Sequence, residues 1–99
     1  MALKKGDTPK TIRAILNFTS PAEKFEMPVT FNNLSTREFK EKAAGATVAD
    51  LLLQLLAGWD SDYALTADGI TELEEDHPGI CDGLIEAWWR SRTVALEKN

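Results

Sequence analysis

Residues 24–31, KFEMPVTF, alternate without a break: Phe25, Met27, Val29 and Phe31 fall on one side, Lys24, Glu26, Pro28 and Thr30 on the other. Period two is the signature of a strand, and a strand that is apolar on one side needs a cover for that side. The earlier stretch IRAILNF places Ile12, Ala14, Leu16 and Phe18 together in the same way, although Ile15 blurs the alternation. Between the two, Ser20-Pro21-Ala22-Glu23 is turn chemistry, so residues 11–31 read as an antiparallel hairpin. Pro28 has no N–H to give to a ladder, which predicts that one side of its strand lies at a sheet edge. Two strands alone are marginal in water, so the apolar face has to rest on helices or on another subunit.

The remainder of the chain supplies the helices. Ser35 with Glu38 three residues on forms a capping box, and Leu34 and Phe39 occupy the two positions of a hydrophobic staple, which predicts a helix over 36–44. TVADLLLQLLAG restarts at Thr47, with Val48, Leu51, Leu52, Leu55 and Leu56 on one stripe of a helix over 47–57. Gly58 is placed to end that helix in the left-handed conformation, which makes Trp59 a side chain that folds back on Leu53. Thr66 caps a helix over 67–76, with Leu65 and Ile70 as its staple. Pro78 sits in the first turn of a long last helix over 78–96, whose apolar face collects Cys81, Leu84, Ile85, Trp88 and Ala95. The expected fold is therefore α+β: an N-terminal β-hairpin packed on a small bundle of about four helices, as one domain over 11–99 behind a flexible tail, 1–10.

A chain of 99 residues has material for one modest core and little room for a capacious active site. Charge is unevenly spread. Residues 1–42 hold eight Lys/Arg and five Asp/Glu, residues 43–89 ten Asp/Glu and no Lys/Arg, and residues 90–99 three against one. A middle of −10 between flanks of +3 and +2 repels nucleic-acid phosphates and attracts a basic partner. The bland alternative is that these carboxylates only solvate helix faces. The single cysteine, Cys81, fits a reducing compartment. LLLQLLA is far too short to span a bilayer. A cytoplasmic protein with no membrane contact is the expectation.

Catalytic chemistry finds no constellation in the sequence. His77 and Cys81 are four apart, the minimum for a thiol and its base, but Pro78 lies between them and no second base or oxyanion device accompanies them. As a metal site the pair lacks two of the usual four ligands. The loop DSDYALTADGIT matches a calcium loop only at Asp60 and Asp62, with Leu65 where the turn glycine belongs and Thr71 where the bidentate glutamate belongs. Ser61 precedes a loop instead of opening a helix, unlike a phosphopantetheine serine, and no glycine-rich phosphate loop occurs. No enzyme, cofactor or metal is expected.

Several features in order carry a resemblance. A strand-rich start is followed by a leucine helix closing on Gly58-Trp59-Asp60, then by an acidic loop with Leu65-Thr66. A helix entered through His77-Pro78-Gly79, the run Ile85-Glu86-Ala87-Trp88 and the ending Lys98-Asn99 complete the pattern. The chain resembles, over residues 11–99, the tail assembly chaperones of tailed bacteriophages. Members of that family usually show a lone tyrosine or phenylalanine after the alanine of the last helix, where this chain has Trp88-Trp89.

The resemblance implies a binding role in the host cytoplasm, ahead of the mature virion. Such chaperones coat the tape measure protein and leave as tail tube subunits polymerise around it. A long helical chain with an open apolar stripe aggregates unless that stripe is covered. Candidate partner-binding residues are Trp59, Asp60, Asp62, Tyr63, Glu74, Glu75 and Trp89; on the last helix Trp88 points to the centre of the apolar face and Trp89 to its rim. A homo-oligomer built through the hairpin's free edge is a further expectation. Rival readings are an acidic inhibitor that imitates nucleic acid and a plain protein-interaction subunit. Glu97-Lys98-Asn99 is compatible with a slippery codon run that yields a longer, minus-one frameshifted product.

Overall fold

The computed structural model describes residues 2–97. Strands β1 (Thr11–Thr19) and β2 (Lys24–Asn32) form the expected hairpin, in register from Thr11 opposite Asn32 to Thr19 opposite Lys24. Ser20 closes the turn: its backbone N–H donates to the Glu23 carbonyl at 2.8 Å and its hydroxyl accepts from the N–H groups of Ala22 and Glu23. Helices α1 (Thr36–Ala43), α2 (Val48–Leu55), α3 (Ala67–Asp76) and α4 (Ile80–Arg92) follow. The first three start as the sequence predicts. The Ser35–Glu38 capping box forms in both directions at 3.1 Å, Thr47 accepts from the Asp50 N–H, and Thr66 accepts from the Gly69 N–H.

The first correction concerns α2 and Gly58. The helix ends at Leu55, and Leu56–Trp59 leave it as a third strand, β3, antiparallel to β2. Gly58 is not among the glycines with positive φ, so no left-handed cap forms and Trp59 lies in the sheet opposite Val29. The physical reason lies in β2, which has a second row of backbone groups to satisfy along Val29–Phe31. Pairing there satisfies those groups and still buries Leu56 at 3% exposure, whereas another half-turn of helix would leave the row on β2 open. Ala57 is the extra residue of a bulge, since Leu56 faces Phe31 while Gly58 faces Thr30.

The sheet order β1-β2-β3 makes β2 the central strand, so Pro28 lies on a strand with neighbours on both sides. It is tolerated because β3 runs out at its level: Pro28 accepts from the Asp60 N–H at 2.9 Å, and only its missing N–H goes unmatched at the end of the ladder.

One face of the sheet carries the core. Met27, Val29 and Phe31 of β2 pack with Leu52, Leu55, Leu56, Ile70, Leu73, Ile80, Cys81, Leu84 and Trp88. The four helices cover that face in one layer, and the thinnest dimension of 19 Å is that of two stacked layers. Gly69 marks the tightest approach: a Cβ there would sit 1.9 Å from the Ala64 carbonyl oxygen, so α3 closes on its own incoming loop only with glycine at that point.

The last helix is shorter than expected at both ends. Pro78 precedes it, and Gly79, at φ 94°, is its N-cap. It stops at Arg92 after 13 residues, and Thr93 is extended. Thr93 explains the stop, because its hydroxyl donates to the Trp89 carbonyl at 2.6 Å and takes the acceptor that its own N–H would use in a continuing helix. Among the described residues beyond it, none faces the core. Val94 and Leu96 are 94% and 93% exposed, and Ala95 is exposed instead of lying on the apolar face.

Residues 2–10 are exposed, with the Pro9 and Lys10 carbonyls accepting from Asn33. Lys98 and Asn99, which carry part of the frameshift expectation, lie outside the described residues. Among the described residues no helix is long and apolar enough to cross a membrane.

Candidate functional site

The seven candidate residues fall in three places. Trp89 stands where α4 meets α1. Its neighbour Trp88 is fully buried and donates its indole N–H to the Asn32 carbonyl at 2.8 Å, which ties the helix to the end of β2. Phe39 of α1 stacks on Trp88 at 4.9 Å between ring centroids and meets the edge of Trp89 at 4.7 Å. Arg92 closes the cluster, its guanidinium 5.2 Å from the Trp88 ring, with hydrogen bonds to Asn33 and Thr36. Trp89 itself is half-buried. Its free side lines a shallow groove of about 560 Å³ with Asp82, Ile85, Glu86, Arg90, Thr93 and Ala95. Asp82, Ile85, Glu86, Trp89 and Thr93 are spaced as one face of a helix. The groove therefore has an apolar floor of Ile85 and Trp89, with Asp82 and the Glu86–Arg90 ion pair beside it.

Trp59 closes β3 opposite Val29, and Asp60, Asp62 and Tyr63 follow it alongside β2 towards the hairpin turn. Trp59 donates its indole N–H to the Tyr63 carbonyl at 2.9 Å, and the Ser61 hydroxyl accepts from the Tyr63 N–H. The Tyr63 hydroxyl donates to Asp76 at 2.6 Å. That bond is the main reason its phenol is pushed up to about 12, with burial and the charges of Asp76, Glu72 and Glu23 adding to it. Asp60 and Asp62 are exposed. His77 packs tilted against Phe25, 5.1 Å between ring centroids, and places Nδ1 2.8 Å from a Glu23 carboxylate oxygen. This loop is thus an internally bonded knot, with its aromatic residues spent on closing it.

Glu74 and Glu75 occupy the third place, on α3. Glu74 turns inward, where its carboxylate accepts the Gly79 N–H at 2.7 Å and the Cys81 N–H at 3.0 Å. These bonds, Gly79 first, hold its carboxyl below the ordinary carboxylate range. Glu74 is therefore the missing cap of α4, whose N-cap glycine has no side chain to offer. Glu75 is exposed and edges a groove with Val48, Ala49, Ile70, Thr71 and Asp82. Cys81 is buried, and its thiol is pushed up to about 12 by burial and then by Glu74. His77 faces the hairpin instead, so the two residues four apart in sequence do not meet as a thiol and its base.

Sequence reasoning separated Trp88 from Trp89 by helical rotation, and the structure places them accordingly. It missed Asp82 and Ile85 as companions of Trp89. The spacing of these residues was visible, but the end of α4 at Arg92, which leaves the groove open, was not. Comparison with protein-family profiles, with curated proteins and with solved structures yields no match to this chain.

Proposed function

We propose that this protein is a non-catalytic binding protein that covers the apolar stripe of a helical partner, in the manner of a phage tail assembly chaperone acting on a tape measure protein. The observation that carries the reading is the open groove on α4. Ile85 and Trp89 are only half-buried there, the Asp82 carboxylate stands beside them, and Val94 and Leu96 stand exposed in the segment that follows. An amphipathic helix with basic flanks would lay its apolar face on such a floor. A coat that is later displaced by tube subunits gains from a shallow surface used many times over, because many weak contacts release more readily than one deep pocket. Support for the phage setting comes from the sequence resemblance.

A nucleic-acid mimic is less well supported, because several of its carboxylates have internal work: Glu74 caps α4, Asp76 holds Tyr63, and Glu86 pairs with Arg90 at 2.6 Å. The test is co-expression with a long helical protein that exposes an apolar stripe with basic flanks. The wild-type chain should keep that protein in the soluble fraction, while Ile85→Lys and Trp89→Lys, each checked for fold by circular dichroism, should leave it in the pellet. Raising salt should slow association and leave the chain's own stability nearly unchanged. A partner kept equally soluble by both lysine variants would remove α4 from the reading.

A further inference from the structure

β1 forms one margin of the sheet, and among the described residues no strand pairs with its outer side. In an antiparallel ladder, opposed residues alternate between pairs that exchange both backbone bonds and pairs whose polar groups point away. Pro28 turns its carbonyl towards β3, where Asp60 donates to it, so Ile15, its partner on β1, turns its own N–H and C=O away from β2. By the same alternation Thr11, Arg13, Ile15, Asn17 and Thr19 line the margin with unpaired backbone groups. Nothing in the strand itself blunts that margin. The register runs from Thr11 to Thr19 without a bulge, the strand has no proline, and Arg13 is its only charge.

A second observation points the same way. Ile12, Ala14, Leu16 and Phe18 remain half-buried on the core side of β1, whereas Met27, Val29 and Phe31 beside them on β2 are 4% exposed or less. On the solvent side Ile15 is 64% exposed at the middle of the strand. The apolar layer therefore stops short at the same margin where the hydrogen bonds stop.

We propose that β1 is a self-pairing edge, through which two copies of this chain join antiparallel with Ile15 opposite Ile15 into one continuous sheet. This register overlaps all nine residues of the strand and closes on the order of ten backbone hydrogen bonds between the copies. It sets Ile12 against the second copy's Phe18 and Ala14 against its Leu16, in the close pairs that do not exchange hydrogen bonds, and so extends the half-covered row. Charges also match. Arg13 stands opposite the second copy's Asn17, whose neighbour on β2 is Glu26. At about 4.8 Å per strand the Arg13 and Glu26 backbones are about 10 Å apart, a gap that their two long side chains span. The two Arg13 residues stay about 14 Å from each other, four residues along the strand. This pairing uses a surface other than the α4 groove and holds whether or not that groove binds a helix.

Sedimentation equilibrium on the full chain tests it. The mass should approach twice 11.0 kDa as concentration rises to about 200 µM, because self-association follows mass action. Ile15→Pro removes the two central bonds between the copies but none within one chain, since that N–H faces outward, and it should weaken the dimer at least about tenfold. Ile15→Cys tests the register without depending on how proline folds. In the bonded pair the two α-carbons lie about 5.5 Å apart, inside the disulfide range of about 4.4 to 6.8 Å. Mild oxidation should therefore cross-link Ile15→Cys, while Asn17→Cys, whose copies stand about 14 Å apart, should stay uncrosslinked; the buried Cys81 stays silent in both. A constant mass of 11.0 kDa across the range would overturn the proposal. So would equal cross-linking of the two cysteine variants, or a dimer that keeps its full strength in the proline variant.

Discussion

Glu74→Ala should be among the most damaging changes of any charged residue in this chain. Helix α4 starts at Gly79, which has no side-chain cap, so its first N–H groups depend on what the rest of the fold brings to them. Glu74 brings a carboxylate, at 2.7 Å from the Gly79 nitrogen and 3.0 Å from that of Cys81. Hydrogen bonds to a charged acceptor contribute about 1.5 to 3 kcal/mol each, and an N-cap about 1. Because Glu74 is partly open to water, the lower end applies, and the loss for alanine is about 2 to 3 kcal/mol. For a domain of this size that lowers Tm by about 10 to 20 °C. Glu74→Gln keeps one acceptor oxygen and should lose about 1 to 2 kcal/mol.

The pH dependence has a definite sign. The folded-state carboxyl is held below its ordinary 4.5, so its contribution is complete above that value and fades as pH falls through the lower, folded one. The stability gap between the wild-type chain and Glu74→Gln should therefore be full at neutral pH and close in acid. Urea unfolding followed by far-ultraviolet circular dichroism, repeated from neutral to acid pH, measures the gap, with Glu75→Gln as a control that should change stability by less than about 0.5 kcal/mol. A gap at neutral pH no larger than the control's, or one that persists undiminished in acid, would refute the capping argument.

Trp88→Ala should cost about 3 to 5 kcal/mol in urea unfolding, since it empties the centre of the core and orphans the Asn32 carbonyl. Trp89→Ala should cost only about 1 to 2 kcal/mol, from the lost edge contacts with Phe39 and Trp88, and a Trp89 loss equal to that of Trp88 would deny it a place at the rim. Tyr63 is the only tyrosine, so its ultraviolet titration is readable: the phenolate should appear near pH 12 in the folded chain and near about 10 once unfolded. The stability that this bond gives is complete below the unfolded value and is lost as pH rises towards the folded one. Cys81 should resist a thiol reagent in the native state and react at the rate of a free thiol in denaturant; fast native reaction would contradict its burial.

What the sequence determined by itself is local. The alternation in 24–31, the Ser35 capping box, the restart at Thr47 and the Thr66 cap gave elements whose starts the structure keeps, because a strand's apolar face and a helix's first N–H groups are satisfied by residues a few positions away. Rotation along α4 likewise separated the core Trp88 from the rim Trp89. Where elements ended was decided elsewhere in the chain. Leu56–Trp59 read as the end of a helix and became a strand, because the open row on β2 lies far off in sequence and next door in space. Glu74 read as one carboxylate in an acidic cluster, and only folding α3 against the start of α4 revealed it as a cap. Helix α4 stopped at Arg92 once a hydroxyl took the carbonyl that the next turn needed, and that stop left the groove open. Local propensity fixes what a segment offers; the satisfaction of backbone groups by distant neighbours fixes where it stops, and that depends on the tertiary structure.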